Sequence, residues 1–278
     1  MKLLSLVFGA FFGFSVLVPC PVLAQSGEVV KVTQPAIIVR DGQRTQLELG
    51  DAVNVGETIV TGGSAEAQIV FSDQTRIVVG PNSQLRVDTL LFNSNSSAKR
   101  FAVTAAKGTF RFLSGKSPSK AYSVRTPIAT MGVRGTAFDF AVPAKDYTDL
   151  VVHDGEVRFC RQGVSTCASV PSGCQTVRMQ KKLLTQPATN ADRQKVLGEA
   201  FPYAIDQSSL RNDFHTAIES CKGRGATALR QINLPSIASR QLQRDDPKRR
   251  AANVRPEEPR EEDERPEEPD EREDDLLE

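Results

Sequence analysis

The side chains able to do chemistry in this 278-residue chain are few and widely spaced. Cys160, Cys167, Cys174 and Cys221 stand clear of a fifth cysteine, Cys20, which lies in the N-terminal apolar stretch. An even number of cysteines in an exported chain points to disulfides. Residues 156–160 and 167–170 read as the arms of a hairpin turning near Gln162 and Gly163. That favours Cys160 with Cys167, and therefore Cys174 with Cys221, stapling the end of a sheet to a helix; the sequence alone leaves the other pairings open. Metal coordination is the competing chemistry. The cysteines are spaced seven and seven apart with no histidine beside them, which fits short-spaced zinc patterns poorly, so no metal ligands are assigned.

Acid–base and nucleophilic chemistry find less support. The chain has two histidines, His153 and His215, far apart in sequence. His153 beside Asp154 falls at an expected turn, where a solvated pair outweighs a catalytic dyad. Asp41, Asp51, Asp73, Asp139 and Asp154 are scattered at expected strand ends, which gives no paired-carboxylate site. No G-x-S-x-G elbow occurs, and Gly132 and Gly135 precede a strand pattern and not a helix, so there is no phosphate loop. The expectation is a protein with no catalytic residues and no cofactor.

The elements that must hold these residues are mostly strands. Residues 36–39, 65–71, 77–79, 85–87, 101–103, 110–112, 122–124 and 150–152 alternate apolar and polar side chains, and Asp154-Gly155 reads as a hairpin turn into 157–159. Alternation buries one face of each strand, so they must close as a sandwich, barrel or coil. Within 124–140, Pro127 cannot donate to a ladder and forces Thr126 into extended geometry, which ends one strand near Arg125 and starts another beyond the glycines. Helical periodicity comes later. Residues 190–200 form one candidate, and Leu210, Phe214, Ala217, Ile218 and Cys221 would share the face of a second, capped at Ser208 or Ser209 and ended by Gly223.

The two ends differ in kind. Residues 1–24 join Lys2 to an apolar run and a Val-Leu-Ala exit, the pattern of a cleaved secretory leader. Pro19 and Pro21 break that run where a membrane span would continue, and Pro19 precedes Cys20 where lipid attachment wants a small residue, so no stable span is expected after cleavage. Residues 244–278 carry 8 Lys and Arg against 16 Asp and Glu, while 25–243 carry 26 against 18. This acidic tail, with RPEEP repeated at 255–259 and 265–269, has too little apolar surface to offset its ordering entropy and is expected to be disordered. The basic body spreads its charge singly along strands and has no tryptophan, which argues against nucleic-acid binding.

An ordered set of short motifs resembles the FecR domain. It begins with GDAV at 50–53, GETIVT at 56–61 and AEA at 65–67, continues with SDQTRI at 72–77 and GPNS at 80–83, and passes through KGTFR at 107–111 and VRTP at 124–127 to GVRGT at 132–136 and DGEV at 154–157. The resemblance covers about residues 45–160 and implies an all-β extracytoplasmic module without an active site. In full regulators of that kind the module lies between a transmembrane anti-sigma segment and a receptor-contacting domain. Here a leader precedes it and a helical, acidic segment follows.

The expected architecture is therefore an all-β main domain at 25–180, a β-sandwich or β-coil of short strands, followed by a short α-helical segment at 181–235 docked on it and a disordered charged tail at 236–278. The expected role is a periplasmic or secreted, non-catalytic sensor or interaction module that binds an envelope protein, with cell-wall glycan or peptidoglycan binding as the alternative. Scarce aromatics weaken the alternative, since only three tyrosines are present. Gly50, Gly56, Gly80, Gly108, Gly132 and Gly135 read as corner glycines. Arg125 and Arg134 are the candidate partner contacts, unless they cap strand ends or pair with an acid such as Asp139.

Overall fold

A computed structural model describes residues 27–93, 96–163, 167–181, 183–219 and 221. The leader with Cys20, Gly223 and the acidic tail lie outside the described residues. Fifteen strands follow in chain order. The first eight are short: β1 (Gly27–Thr33), β2 (Ala36–Arg40), β3 (Gln43–Gln46), β4 (Ala52–Val53), β5 (Thr58–Thr61), β6 (Glu66–Phe71), β7 (Arg76–Val79) and β8 (Gln84–Phe92). Next come β9 (Ala98–Leu113), β10 (Tyr122–Arg125), β11 (Ala129–Ala144), β12 (Tyr147–Arg161), β13 (Cys167–Pro171), β14 (Gln175–Gln180) and β15 (Leu184–Thr185). The architecture is all-β, as the alternation requires.

Three long strands organise the sheet by changing partners along their length. Residues 98–107 of β9 pair with β8, while 108–113 pair with β7 and β11. Strand β11 meets β10 at 130–132 and β9 at 137–142. Strand β12 pairs with β14 through 147–152 and with β13 through 156–160. Pairing is antiparallel throughout except for β10 against β9. Partner switching wraps the sheet around one core, in which Phe71, Phe101, Phe112 and Tyr122 meet edge-on or tilted and Phe138 stacks on Phe112.

The expected hairpin at Asp154-Gly155 is instead the middle of β12, and the expected pair 101–103 and 110–112 is one strand, β9. The glycines bend these strands without ending them. Gly155 has φ +72°, and a Cβ there would lie 2.2 Å from the Gly135 carbonyl oxygen; at Gly108, φ +105°, it would lie 2.4 Å from the Ser83 Cα. Both conformation and space demand glycine. Gly132, expected at a corner, sits instead in regular β11 opposite Arg158.

Beyond the sheet, α1 (Asn190–Ala200) forms where the sequence places it. Its start is fixed by a capping box, Thr189 Oγ1 accepting from the Asp192 amide while the Asp192 carboxylate accepts from the Thr189 amide. A short α2 (Pro202–Ile205) follows at once, entered through a proline. The second expected helix does not form: among the described residues of 210–221 the helical structure is a 3-10 turn at Asn212–Phe214. Of the expected face, Leu210, Phe214, Ile218 and Cys221 are buried nonetheless, against the sheet, while Ala217 is exposed. The spacing reported burial, but polar contacts set the backbone. Gln207 takes the place of helical partners, its amide donating to the Thr216 carbonyl and its Oε1 accepting from the Thr216 N–H, while Ser208 and Ser209 bond to Asp206 and Glu66.

Gly155→Ala should lower the unfolding free energy by about 2–4 kcal/mol, from steric overlap added to left-handed strain. Gly163, with φ +77° but nothing within 4 Å of its would-be Cβ, should lose only about 1 kcal/mol on the same change. Denaturant titration of the two variants checks the difference; equal losses would contradict the close approach at Gly155.

Candidate functional site

The outer face of β9, β11 and β12 carries a charged cluster that alternation in each strand aims away from the core. Arg111 and Asp139 are direct cross-strand partners. The pairing of β11 with β12 shifts between Ala137 opposite Asp154 and Phe138 opposite Val152, and His153 is the residue left over in that bulge. Arg111 Nε donates to Asp139 Oδ1 at 2.7 Å and its Nη2 to Oδ2 at 2.9 Å, a bidentate pair. His153 Nε2 lies 2.9 Å from the same Oδ2. The Arg111, Asp139 and His153 side chains are fully buried.

What buries them is residues 190–221, the strap. Leu197, Phe201, Ala204, Ile218 and Cys221 pack on Ala141, Val151 and Cys174, and Tyr203, Leu210 and Phe214 pack on Val78 and Leu113. Between these apolar patches the remaining guanidinium hydrogens meet the strap's own acceptors. Arg111 Nη2 donates to the Tyr203 carbonyl at 2.9 Å, and Nη1 to Gln207 Oε1 and, at 3.4 Å, to the Phe214 carbonyl. Every donor of the guanidinium is thereby used, which is what allows a charge to lie at zero exposure. Burial alone would raise the Asp139 pKa, but the Arg111 guanidinium and His153 outweigh it and hold the carboxyl well below the usual carboxylate range.

His153 was expected to pair with Asp154 at a solvated turn. Asp154 is exposed and His153 is buried on Asp139, because the strand continues where a turn was expected. Asp139 is a mid-strand residue, and its cation is Arg111, not Arg134. The other face of the imidazole corrects a second expectation. His153 Nδ1 lies 3.9 Å from the Cys174 sulfur and 3.7 Å from that of Cys221, so a histidine does stand beside two of the cysteines in space. Alternation could have aimed His153 outward; nothing local in the sequence could have brought residue 221 to it.

The cysteines fall into the two expected pairs, each at disulfide distance, with Cα separations of 4.0 Å for Cys160–Cys167 and 5.3 Å for Cys174–Cys221. The first links directly opposed residues of β12 and β13. The second closes the end of the strap onto the residue preceding β14. A further buried carboxylate, Asp73, is structural: it accepts from Tyr122 Oη at 2.8 Å and Ser117 Oγ at 2.7 Å and ties the β6–β7 turn to the approach to β10.

Arg125 and Arg134 are both exposed. Arg134 lines an open groove of about 610 Å³ with Lys120, Tyr122, Gly132, Glu156 and Arg158; Arg125, at the end of β10, is outside that lining.

Residues 57–158 match the family model described as FecR protein. That part of the chain is similar to the FecR domain. The match contains Arg111, Asp139 and His153, and ends before the strap that covers them. Two crystal structures of a candidate anti-sigma factor from Parabacteroides distasonis ATCC 8503, at 1.65 and 2.50 Å, are similar to this chain at 15% identity each. Their TM-scores are 0.39 and 0.36; 51% and 46% of this chain is covered, against 65% and 59% of theirs, so it spans less than two thirds of those chains. No curated protein matches the chain.

Arg111→Met should weaken the docking of the strap on the sheet by about 3–5 kcal/mol, since with the strap in place it strands the Asp139 carboxylate. Asp139 contributes stability above its unfolded pKa of about 3.9, and that contribution is lost as pH falls toward the depressed folded value. The stability gap between the native chain and Asp139→Asn should therefore be full above about pH 5 and shrink steadily in acid. Denaturant midpoints measured from neutral pH down to the acid limit check this; a gap that stays constant would contradict a depressed carboxyl.

Proposed function

We propose that this FecR-domain protein is a non-catalytic signalling or interaction module that works outside the cytoplasm by binding an envelope protein. The observation that carries the proposal is the division of the FecR-matching sheet into a covered and an open part. The chain's own strap occupies the outer face around Arg111, while a groove lined by other parts of β11 and β12 presents exposed Lys120, Arg134 and Arg158 around the carboxylate Glu156. Three cations against one anion suit an acidic or carbonyl-rich segment of a partner, with Arg134 as principal contact and Arg125 at the margin.

The buried cluster supports a non-catalytic role. Its carboxylate is neutralised by arginine, its histidine is sealed, and neither has room for a substrate. Two cysteine pairs at disulfide distance support an oxidising compartment, as does the leader pattern. Among the described residues no helix is long and apolar enough to cross a membrane. The glycan alternative gains nothing: Tyr122 and Tyr203 are buried, and the Arg178 guanidinium covers one face of Tyr147, 4.4 Å from its ring centroid.

Affinity capture from an envelope extract tests the proposal, with the native chain, an Arg134→Glu/Arg158→Glu variant and a chain lacking 244–278 as baits. A discrete protein should be retained by the native chain, weaken about tenfold or more with the charge-reversed groove, and weaken further as salt rises. Recovery that ignores the groove substitutions would contradict the assignment of the contact, and the absence of any specific protein would contradict the function.

A further inference from the structure

We infer that, with the Cys174–Cys221 pair reduced, His153, Cys174 and Cys221 form a buried binding site for a thiophilic d10 cation, Zn(II) or Cu(I). The site goes beyond the partner-binding role and does not depend on it. Its three ligand atoms, one nitrogen and two sulfurs, all lie within 4.8 Å of one another, and all three residues are buried. The nitrogen–sulfur distances are 3.9 and 3.7 Å. Bonds of about 2.0–2.1 Å to nitrogen and 2.3 Å to sulfur, at tetrahedral or trigonal angles, would place those atoms about 3.5–3.8 Å apart. The imidazole is therefore already set for coordination, and only the sulfurs need to separate, to about 3.8–4 Å.

The surroundings of the imidazole make the second, independent case. The ring's Nε2 lies 2.9 Å from Asp139 Oδ2 and 3.3 Å from Arg111 Nη2; in the neutral tautomer that donates Nε2–H to the carboxylate, a bare Nδ1 lone pair faces the sulfurs. Disulfide sulfurs have no proton to give, and among the described residues Nδ1 meets nothing else, so a fully buried acceptor is left without a donor. A cation satisfies it. Asp139, itself fixed by Arg111, is then the outer carboxylate that metal-bound histidines usually carry, setting tautomer and ring orientation. Two thiolates and a divalent ion sum to zero charge, a species that tolerates burial beside the closed Arg111–Asp139 pair.

The exchange balances as two steps. A dithiol reductant gives two electrons and two protons to the Cys174–Cys221 bond, which breaks to two thiols while the reductant closes to its own disulfide. The cation then binds Nδ1 and both sulfurs, and two thiol protons leave to solvent. For Cu(I) the same donor set is trigonal and one net negative charge remains.

The full chain, reduced without oxygen by a phosphine that takes up water's oxygen as it leaves two protons on the sulfurs, is titrated separately with Co(II), Zn(II) and Cu(I). One ion should bind per chain, Co(II) should show thiolate charge-transfer absorption that Zn(II) abolishes, and the unreduced chain should bind none. Alkylation mapped by mass spectrometry needs no variant: the bound ion should shield Cys174 and Cys221 and leave Cys160 and Cys167 reactive. Cys160→Ser/Cys167→Ser should keep the stoichiometry, His153→Ala should lose it, and Asp139→Asn should weaken affinity about 10–100-fold. No stoichiometric uptake by the reduced chain, or shielding of Cys160 and Cys167 in place of the other pair, would overturn the site. The relative affinities for Zn(II) and Cu(I) decide which cation it takes.

Discussion

The guanidinium of Arg111 is the interaction on which the arrangement of this protein depends. A charge placed on the outer face of a sheet ordinarily faces water; here it lies fully buried, and it does so because each of its hydrogens has an acceptor. Two acceptors come from Asp139 on the neighbouring strand, and the others come from Tyr203, Gln207 and Phe214 in the strap. The sheet supplies the ion pair and the strap supplies the rest. Neither half can bury its polar groups alone: without the strap the pair is open to water, and without the pair the strap would lay carbonyl groups on a surface with nothing to donate to them.

That constraint explains why the strap is extended where its sequence suggests a helix. A helix over 210–221 would use the Phe214 carbonyl and the Thr216 N–H internally, whereas the structure spends the first on Arg111 and the second on Gln207. Apolar anchors at both ends, Leu197 and Phe201 on one side and Ile218 and Cys221 on the other, hold the segment on the sheet while the polar middle turns inward. Alternation after the core residue Val152 puts His153 on the outer face beside Asp139, and the bulge leaves it without a direct partner on β11.

Much of the FecR-type fold was legible in the residues themselves. Alternation at 65–71, 101–103 and 110–112 names the buried face correctly, since Ile69, Phe71, Phe101, Phe110 and Phe112 all belong to one core. The helix expected at 190–200 forms over those residues. Other features were not legible, for physical reasons. Asp154-Gly155 has the chemistry of a turn, and only the approach of the Gly135 carbonyl shows that glycine is needed for a bend within one strand. An i, i+4, i+8 apolar pattern records which residues are buried and not the backbone that buries them, so 210–221 misled. The candidate site was the least legible. Arg111, Asp139 and His153 come from three strands and Cys174 and Cys221 from beyond them, and no local spacing records such a meeting.

Hydrogen exchange in the full chain is the most direct measurement of whether Arg111 holds the strap to the sheet. In Arg111→Met, amides of 201–219 should lose protection by tenfold or more while those of β1 to β8 keep theirs, because the substitution removes the strap's charged anchor and leaves the aromatic core intact. Protection of 201–219 that stays at the native level, or that falls in step with the whole sheet, would contradict the account.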